Sequence, residues 1–369
     1  MNRRELLELV AAVGLGSRSA VAGDAGIERG ASRSTGAAPG APSRPLPATL
    51  VSLIHEHGDR YAPHYPPDDN ADHGPMAYLA MHGLGINFGP IDAFARRYRQ
   101  KLVGQSPSST SVTAGTWAHH LGRRDSYAAL RAFYATDIGT RGWLATVGQY
   151  LPLLISGWVK DAFHPLIRLG YGIEFEVPSE IASGLAYLTI MGDDRQLATV
   201  AAKSPVDTPG RAYLESLQAW RDPVMAEGRF NSRYQRASRV AALRPASGSA
   251  EATLKDISRA ALEVFDATHD FFALHLVTSS HAFRVCSPWA GPGWGAVYSA
   301  GIASAYLAIG APEFVALPAA ATSALLPVES LSKTTDEHDI KIAYSALRQS
   351  EAFGDPAFVG VAVRYLAGG

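Results

Sequence analysis

From Pro47 onward, apolar residues recur at spacings of three and four rather than in strict alternation, the pattern of amphipathic helices. Leu50, Val51, Leu53 and Ile54 make the first such face, which ends before Gly58. Asp68, Asp69, Asn70 and Asp72 offer N-caps for a helix over 72–82, with Pro75 tolerated in its first turn. Gly83-Leu84-Gly85 ends that helix, and Pro90 starts another through Phe94 and Tyr98. Two more are predicted over 125–160, a helical stretch over 162–175, one from Pro178, and others over 257–265, 270–281, 295–309, 337–350 and 356–367. Residues 104–116, rich in Ser, Thr and Gly, read as a long loop, and 245–249 as a flexible break. No series of alternating strands divided by turns is visible. The expectation is an all-α fold, one large domain of roughly a dozen helices over 47–369.

Composition narrows the function classes. With 47% apolar and 18% charged residues and a formal net charge of −1, the chain carries no basic field for nucleic acid or anionic lipid. Its single cysteine, Cys286, rules out an internal disulfide framework and a cysteine-based zinc site. Any metal would therefore sit among nitrogen and oxygen ligands, for which the 12 histidines are the obvious source. No apolar run is long enough for a membrane span, about 18 residues or more. At the N-terminus, Arg3-Arg4 precedes a short apolar segment and Ala20-Val21-Ala22, read as a twin-arginine-type export signal over 1–22. The alternative is a frayed helix on a cytoplasmic protein. Residues 23–46, rich in Gly, Ala, Ser and Pro, read as a disordered linker.

Four histidines lie in helical stretches far apart: His73 in a first turn, His164 and His275 among apolar neighbours, and His338 three residues before Lys341. Residues three apart share a helix face, so His338 and Lys341 look the same way. Any one of these histidines reads first as a core residue bonded to a carbonyl or carboxylate. As a set they point to a histidine-rich metal site in the helical core, open to zinc, iron, copper or nickel. His82 and His281 are candidate second donors that fix ring orientation. His55 and His57 read as a polar helix end, His64 as part of a proline-rich loop, His119 and His120 as surface, and His269 as a solvated partner of Asp270. Gly83-x-Gly85-x-x-x-Gly89 follows a helix and has the wrong spacing for a dinucleotide loop.

Four ordered segments together resemble the questin oxidase-like family: His73-Gly74-Pro75-Met76-Ala77, Phe163-His164-Pro165-Leu166 through Phe175, Leu274-His275-Leu276-Val277-Thr278, and Asp336-Glu337-His338-Asp339-Ile340-Lys341. The resemblance runs from about residue 48 to the C-terminus. It implies an oxygenase of Baeyer–Villiger or dioxygenase type that opens anthraquinone-like rings in aromatic polyketide metabolism. It also implies non-heme iron held by His73, His164, His275, His338 and a carboxylated Lys341. Lys341, Arg168 and Tyr171 are expected as catalytic residues, with Tyr171, Trp289 and Trp294 walling a flat substrate. Arg168 stands where relatives often carry a second histidine, and Asp72 where they usually carry asparagine. The expected partners are dioxygen and a small aromatic substrate, and the lack of a Rossmann fingerprint argues against a bound flavin or NADPH. The rival readings are a zinc-type hydrolase, with metal-bound water as nucleophile, and a metal-free helical binding protein.

Overall fold

In a computed structural model, which describes residues 44–106, 108, 110–225, 228–317 and 325–368, the periodic stretches fold as helices in the expected order. The expected export signal, and the linker up to residue 43, lie outside the described residues. Helix α1 (Ala48–Arg60) buries Leu50, Leu53 and Ile54. A hairpin follows, β1 (His64–Tyr65) against β2 (Asn70–Ala71), with His64 opposite Ala71. Two-residue strands are too short to show a period, so the sequence pattern missed them. Then come α2 (Gly74–Gly83), α3 (Phe88–Tyr98), α4 (Tyr127–Arg141), α5 (Trp143–Leu154), α6 (His164–Glu174) and α7 (Pro178–Met191). The more polar middle carries α8 (Arg195–Ala201), α9 (Gly210–Ser216), α10 (Arg221–Met225) and α11 (Phe230–Ala237). The chain closes with α12 (Ala250–Thr268), α13 (Phe271–Cys286), α14 (Trp294–Ala308), α15 (Val328–Leu331), α16 (Glu337–Phe353) and α17 (Ala357–Leu366). A single hydrophobic cluster spans Leu50 to Ala362, so these helices form one domain. The expected break at 245–249 is instead pinned: Val206 donates to Pro245 O at 3.0 Å, and Ser247 donates back to Val206 O at 3.1 Å. Among the described residues no helix is long and apolar enough to cross a membrane.

Four helices, α2, α6, α13 and α16, run side by side in the same direction. The ring of His73 stacks on His164, and one helix length later His82 meets Phe175. His164 meets His275 at one end, and Glu174 reaches His281 further along. His275 meets His338, and Arg284 then bonds Gln349. Small residues allow this close approach: a Cβ on Gly170 would lie 2.9 Å from the Ala282 Cβ. Every residue of α6 is buried. The consequence is that four helix N-termini meet at one place, with the four histidines in or beside their first turns.

Candidate metal centre

A helix N-terminus leaves backbone N–H groups unpaired and carries positive partial charge. Here an aspartate stands at or shortly before each of the four starts. Asp72 accepts from the Gly74 N–H at 2.9 Å before α2. Asp270 caps α13 by accepting from Phe272 and Ala273 at 2.8 and 3.0 Å. Asp336 caps α16 by accepting from the His338 N–H at 2.8 Å. The start of α6 differs. Asp161 (φ 52°), Ala162 (φ 49°) and Phe163 (φ 69°) all occupy the left-handed region, and none is glycine. Such residues cost about 1–3 kcal/mol each and persist where surrounding packing fixes them. Phe163 is fully buried, its ring against Trp158 and Phe230.

The turns determine which ring nitrogen each histidine presents. His164 Nδ1 lies 2.5 Å from Asp161 O, and His275 Nδ1 lies 2.7 Å from Phe271 O. Carbonyls only accept, so both rings carry their proton on Nδ1 and leave Nε2 as a bare lone pair. These two Nε2 atoms face each other at 3.1 Å in a buried space. His338 repeats the arrangement, with Nδ1 3.0 Å from Asp336 Oδ1 and a buried, unpartnered Nε2. The His73 ring stacks 4.5 Å from His164 and sits edge-on 4.8 Å from His338. Its Nδ1 is 3.1 Å from Lys341 Nζ, and its Nε2 is buried without a partner.

Facing lone pairs repel unless something positive lies between them. One ligand atom from each of His73, His164 and His275 falls within 4.8 Å of the others, and the same holds for His73, Glu337 and His338. Burial holds the His164 imidazole down to about 3, and it lowers His73, His275 and His338 as well, with the neighbouring Lys341 amine adding to each. Neutral imidazole is the metal-binding form. Burial also brings the Lys341 amine down to about 7, so its neutral form is available near neutrality. Three bare imidazole nitrogens, the buried His73 ring, one buried amine and the Glu337 carboxylate make a donor set that fits a nitrogen-preferring divalent ion.

Thus His73, His164, His275, His338 and Lys341 are brought together. Arg168 and Tyr171 are not part of that cluster. Arg168 grips Glu180 through two bonds of 2.7 and 3.2 Å and lies 3.9 Å from Asp72, behind His73. Tyr171 is buried further along α6, against Tyr344 and His281. Trp289 packs on Trp143, and Trp294 on Phe283. His281 bonds Ser345 and Glu174, and His82 bonds Arg44 O, so neither supports a ring of the cluster. His57, expected on a polar end, is fully buried, 2.7 Å from Asp72 and 3.2 Å from the Tyr78 hydroxyl.

The sequence reading passed over Phe271, whose ring lies 4.6 Å from His275 and 4.8 Å from His338 while remaining 47% exposed. It also passed over Glu337, which bonds Lys101 at 3.0 Å beside His73, and Asp161. An aspartate one to five residues before each histidine was the available signal: Asp72-His73, Asp161 to His164, Asp270 to His275, Asp336 to His338.

A sequence profile of the questin oxidase-like family matches residues 71–346, well over half of the chain and all five converging residues. Questin oxidase of Aspergillus fumigatus is 26% identical over 164 residues, which cover 38% of this chain and 37% of that protein. Baeyer–Villiger oxidase notM of an Aspergillus strain is 42% identical over 142 residues, 37% of this chain and 30% of that protein. Questin oxidase of Aspergillus terreus is 34% identical over 73 residues, 18% of this chain and 16% of that protein. The matched stretches therefore span little more than a third of these relatives' length at most. On the profile match, and with the family's four motif segments meeting at one centre, the chain belongs to the questin oxidase-like family.

Proposed function

We propose that this protein is a non-heme iron-dependent oxygenase that uses dioxygen to cleave or insert oxygen into the ring of an anthraquinone-like aromatic polyketide. The observation that carries the reading is the pair of bare Nε2 atoms of His164 and His275, facing at 3.1 Å with both Nδ1 protons committed elsewhere. His73, His164, His275 and His338 would hold the metal, with Lys341 as the fifth donor. The neutral Lys341 amine can add to CO₂: a nitrogen–carbon bond forms, a proton leaves, and the product carbamate offers an anionic oxygen. Iron supplies the one-electron chemistry that lets triplet dioxygen react with a closed-shell aromatic.

The chain's own residues do the rest. The Nδ1–H bonds to Asp161 O, Phe271 O and Asp336 lock three rings in place, as second partners of metal-bound histidines commonly do. Burial of His73, His164, His275 and Lys341, with His338 half-buried at the edge, keeps bulk water from the reacting end. Phe271, half exposed against His275 and His338, marks the mouth and offers a face on which a flat ring stacks. Lys101, bonded to Glu337 at 3.0 Å, holds that carboxylate beside His73. Arg168 acts in this reading from behind, by fixing Asp72 next to His73. The names of the relatives, questin oxidase and Baeyer–Villiger oxidase, agree with this chemistry.

The test is elemental analysis of purified protein coupled to oxygen uptake on a hydroxyanthraquinone. About one iron per chain, with ring-opening and oxygen uptake lost together on chelation and restored by Fe(II), is the expected result. Stoichiometric zinc without oxygen uptake would favour a hydrolase. Full activity after exhaustive chelation would overturn the metal reading.

A further inference from the structure

We propose that Asp161 is a positioning residue that sets two of the four histidines at once; the inference rests on the metal-centre reading above. Its backbone carbonyl lies 2.5 Å from His164 Nδ1. That carbonyl accepts from the His164 backbone N–H, and because Pro165 four positions on has no N–H to donate, its second lone pair is left for the ring. The left-handed run of Asp161, Ala162 and Phe163 turns the carbonyl back onto the ring, a conformation that ordinary L residues adopt only under constraint.

The constraint comes from the Asp161 side chain. His64 Nε2 lies 2.9 Å from its carboxylate, and the Tyr187 hydroxyl donates to the same oxygen. His64 belongs to β1, paired directly with Ala71 of β2, and Ala71 runs straight into Asp72 and His73. A single carboxylate thus ties the hairpin that delivers His73 to the turn that delivers His164. The two rings stack at 4.5 Å, so their relative placement is what the tether controls. Left-handed residues and a half-buried carboxylate with two partners are more than a loop needs merely to connect α5 to α6.

A purely structural role and a positioning role differ in what they move. Asp161→Gly loses the carboxylate and its two hydrogen bonds but relieves the backbone cost at that φ, effects of opposite sign, so the chelator-treated variant should unfold close to the wild-type midpoint. Its affinity for Fe(II), measured anaerobically on the full chain by competition with a colorimetric chelator, should fall about 10- to 100-fold, the usual effect of losing a ligand's supporting partner. Zn(II) titrated in the same way should show the same fall. Asp161→Asn tolerates the left-handed region and keeps an acceptor oxygen, so it should recover most of the affinity. His64→Leu, which leaves the turn's own residues intact, should weaken binding about tenfold, and His64→Gln less. Wild-type affinity in both Asp161→Gly and His64→Leu would overturn the positioning role. A wild-type chain that takes up neither metal would instead overturn the centre itself, and this proposal with it.

Discussion

Replacing Lys341 by methionine should stabilise the metal-free protein while removing the fifth donor of the proposed metal centre. The amine is fully buried, and burial brings it from 10.5 down to about 7. Between those values the unfolded chain holds a proton that the folded chain has given up. Stability therefore rises with pH across that window, by about 1.4 kcal/mol per unit, and is flat below it. Put the other way, this contribution is complete above 10.5 and is lost as pH falls through about 7. At pH 7 the buried amine costs the metal-free fold about 4 kcal/mol. Methionine has a similar length and no charge, so it removes that cost with little repacking. It also gives up the 3.1 Å bond to His73 Nδ1, worth about 1 kcal/mol, which leaves a net gain of about 3 kcal/mol. Urea unfolding of chelator-treated wild type and Lys341→Met at several pH values measures the gap. The expected gap is about 3 kcal/mol at pH 7, shrinking to nearly nothing at about pH 9.5. A gap that ignores pH, or a variant less stable than wild type at pH 7, would refute the argument that a neutral buried amine is held ready at this site.

Phe271→Ala keeps the backbone carbonyl that orients His275, so iron content should hold while the Kd for a dihydroxyanthraquinone rises about fivefold, the equivalent of about 1 kcal/mol of ring stacking. Fluorescence quenching reads the Kd, and an unchanged value would remove Phe271 from the substrate face. At the other end of the bundle, burial opposes charge on Glu174, but His281 and Arg348 outweigh it and hold the carboxyl at about 2. Its stabilising contribution is complete above about 4.5 and disappears as pH falls through about 2, a loss on the order of 3 kcal/mol, so Glu174→Gln should flatten the acid limb of a stability-against-pH curve.

The helices were legible because burial imposes a period, and the period survives without any knowledge of partners. The starts of α2, α7 and α16 were legible for the same local reason, since Pro75, Pro178 and Asp336 act within a turn of their own position. The hairpin bearing His64 was not, because its order comes from the cross-strand pair with Ala71 and the bond to Asp161, 97 residues away. Nothing in the periodicity separates His275, which reaches the centre, from His281, which lies on the same helix and bonds Glu174 instead. Both are six residues apart in an apolar stretch, and only the register of α13 against α6 and α16 tells them apart. Tyr171 is buried while Trp289 and Trp294 are half-buried, a difference the sequence does not carry because aromatic residues suit both walls and cores. Phe271 was overlooked because it sits at the end of its helix, where an apolar residue has no periodic neighbour on its N-terminal side.

The direction of the four helices poses an electrostatic problem that the remaining residues resolve. Each N-terminus contributes roughly half a positive charge, so the convergence of α2, α6, α13 and α16 is, by itself, a poor place for a divalent cation. The carboxylates of Asp72, Asp270 and Asp336 offset that field by accepting from N–H groups at three of the starts, and at the fourth the Asp161 carbonyl faces His164 Nδ1. Four neutral imidazoles then contribute donors but no charge, and a protonated Lys341 in contact with His73 would add to the repulsion. A cation therefore needs the fifth group to be neutral or anionic, and depression of the Lys341 amine by burial is what makes either state reachable. A carbamate on that amine would add the negative charge that the imidazoles lack, whereas a neutral amine would add a donor only.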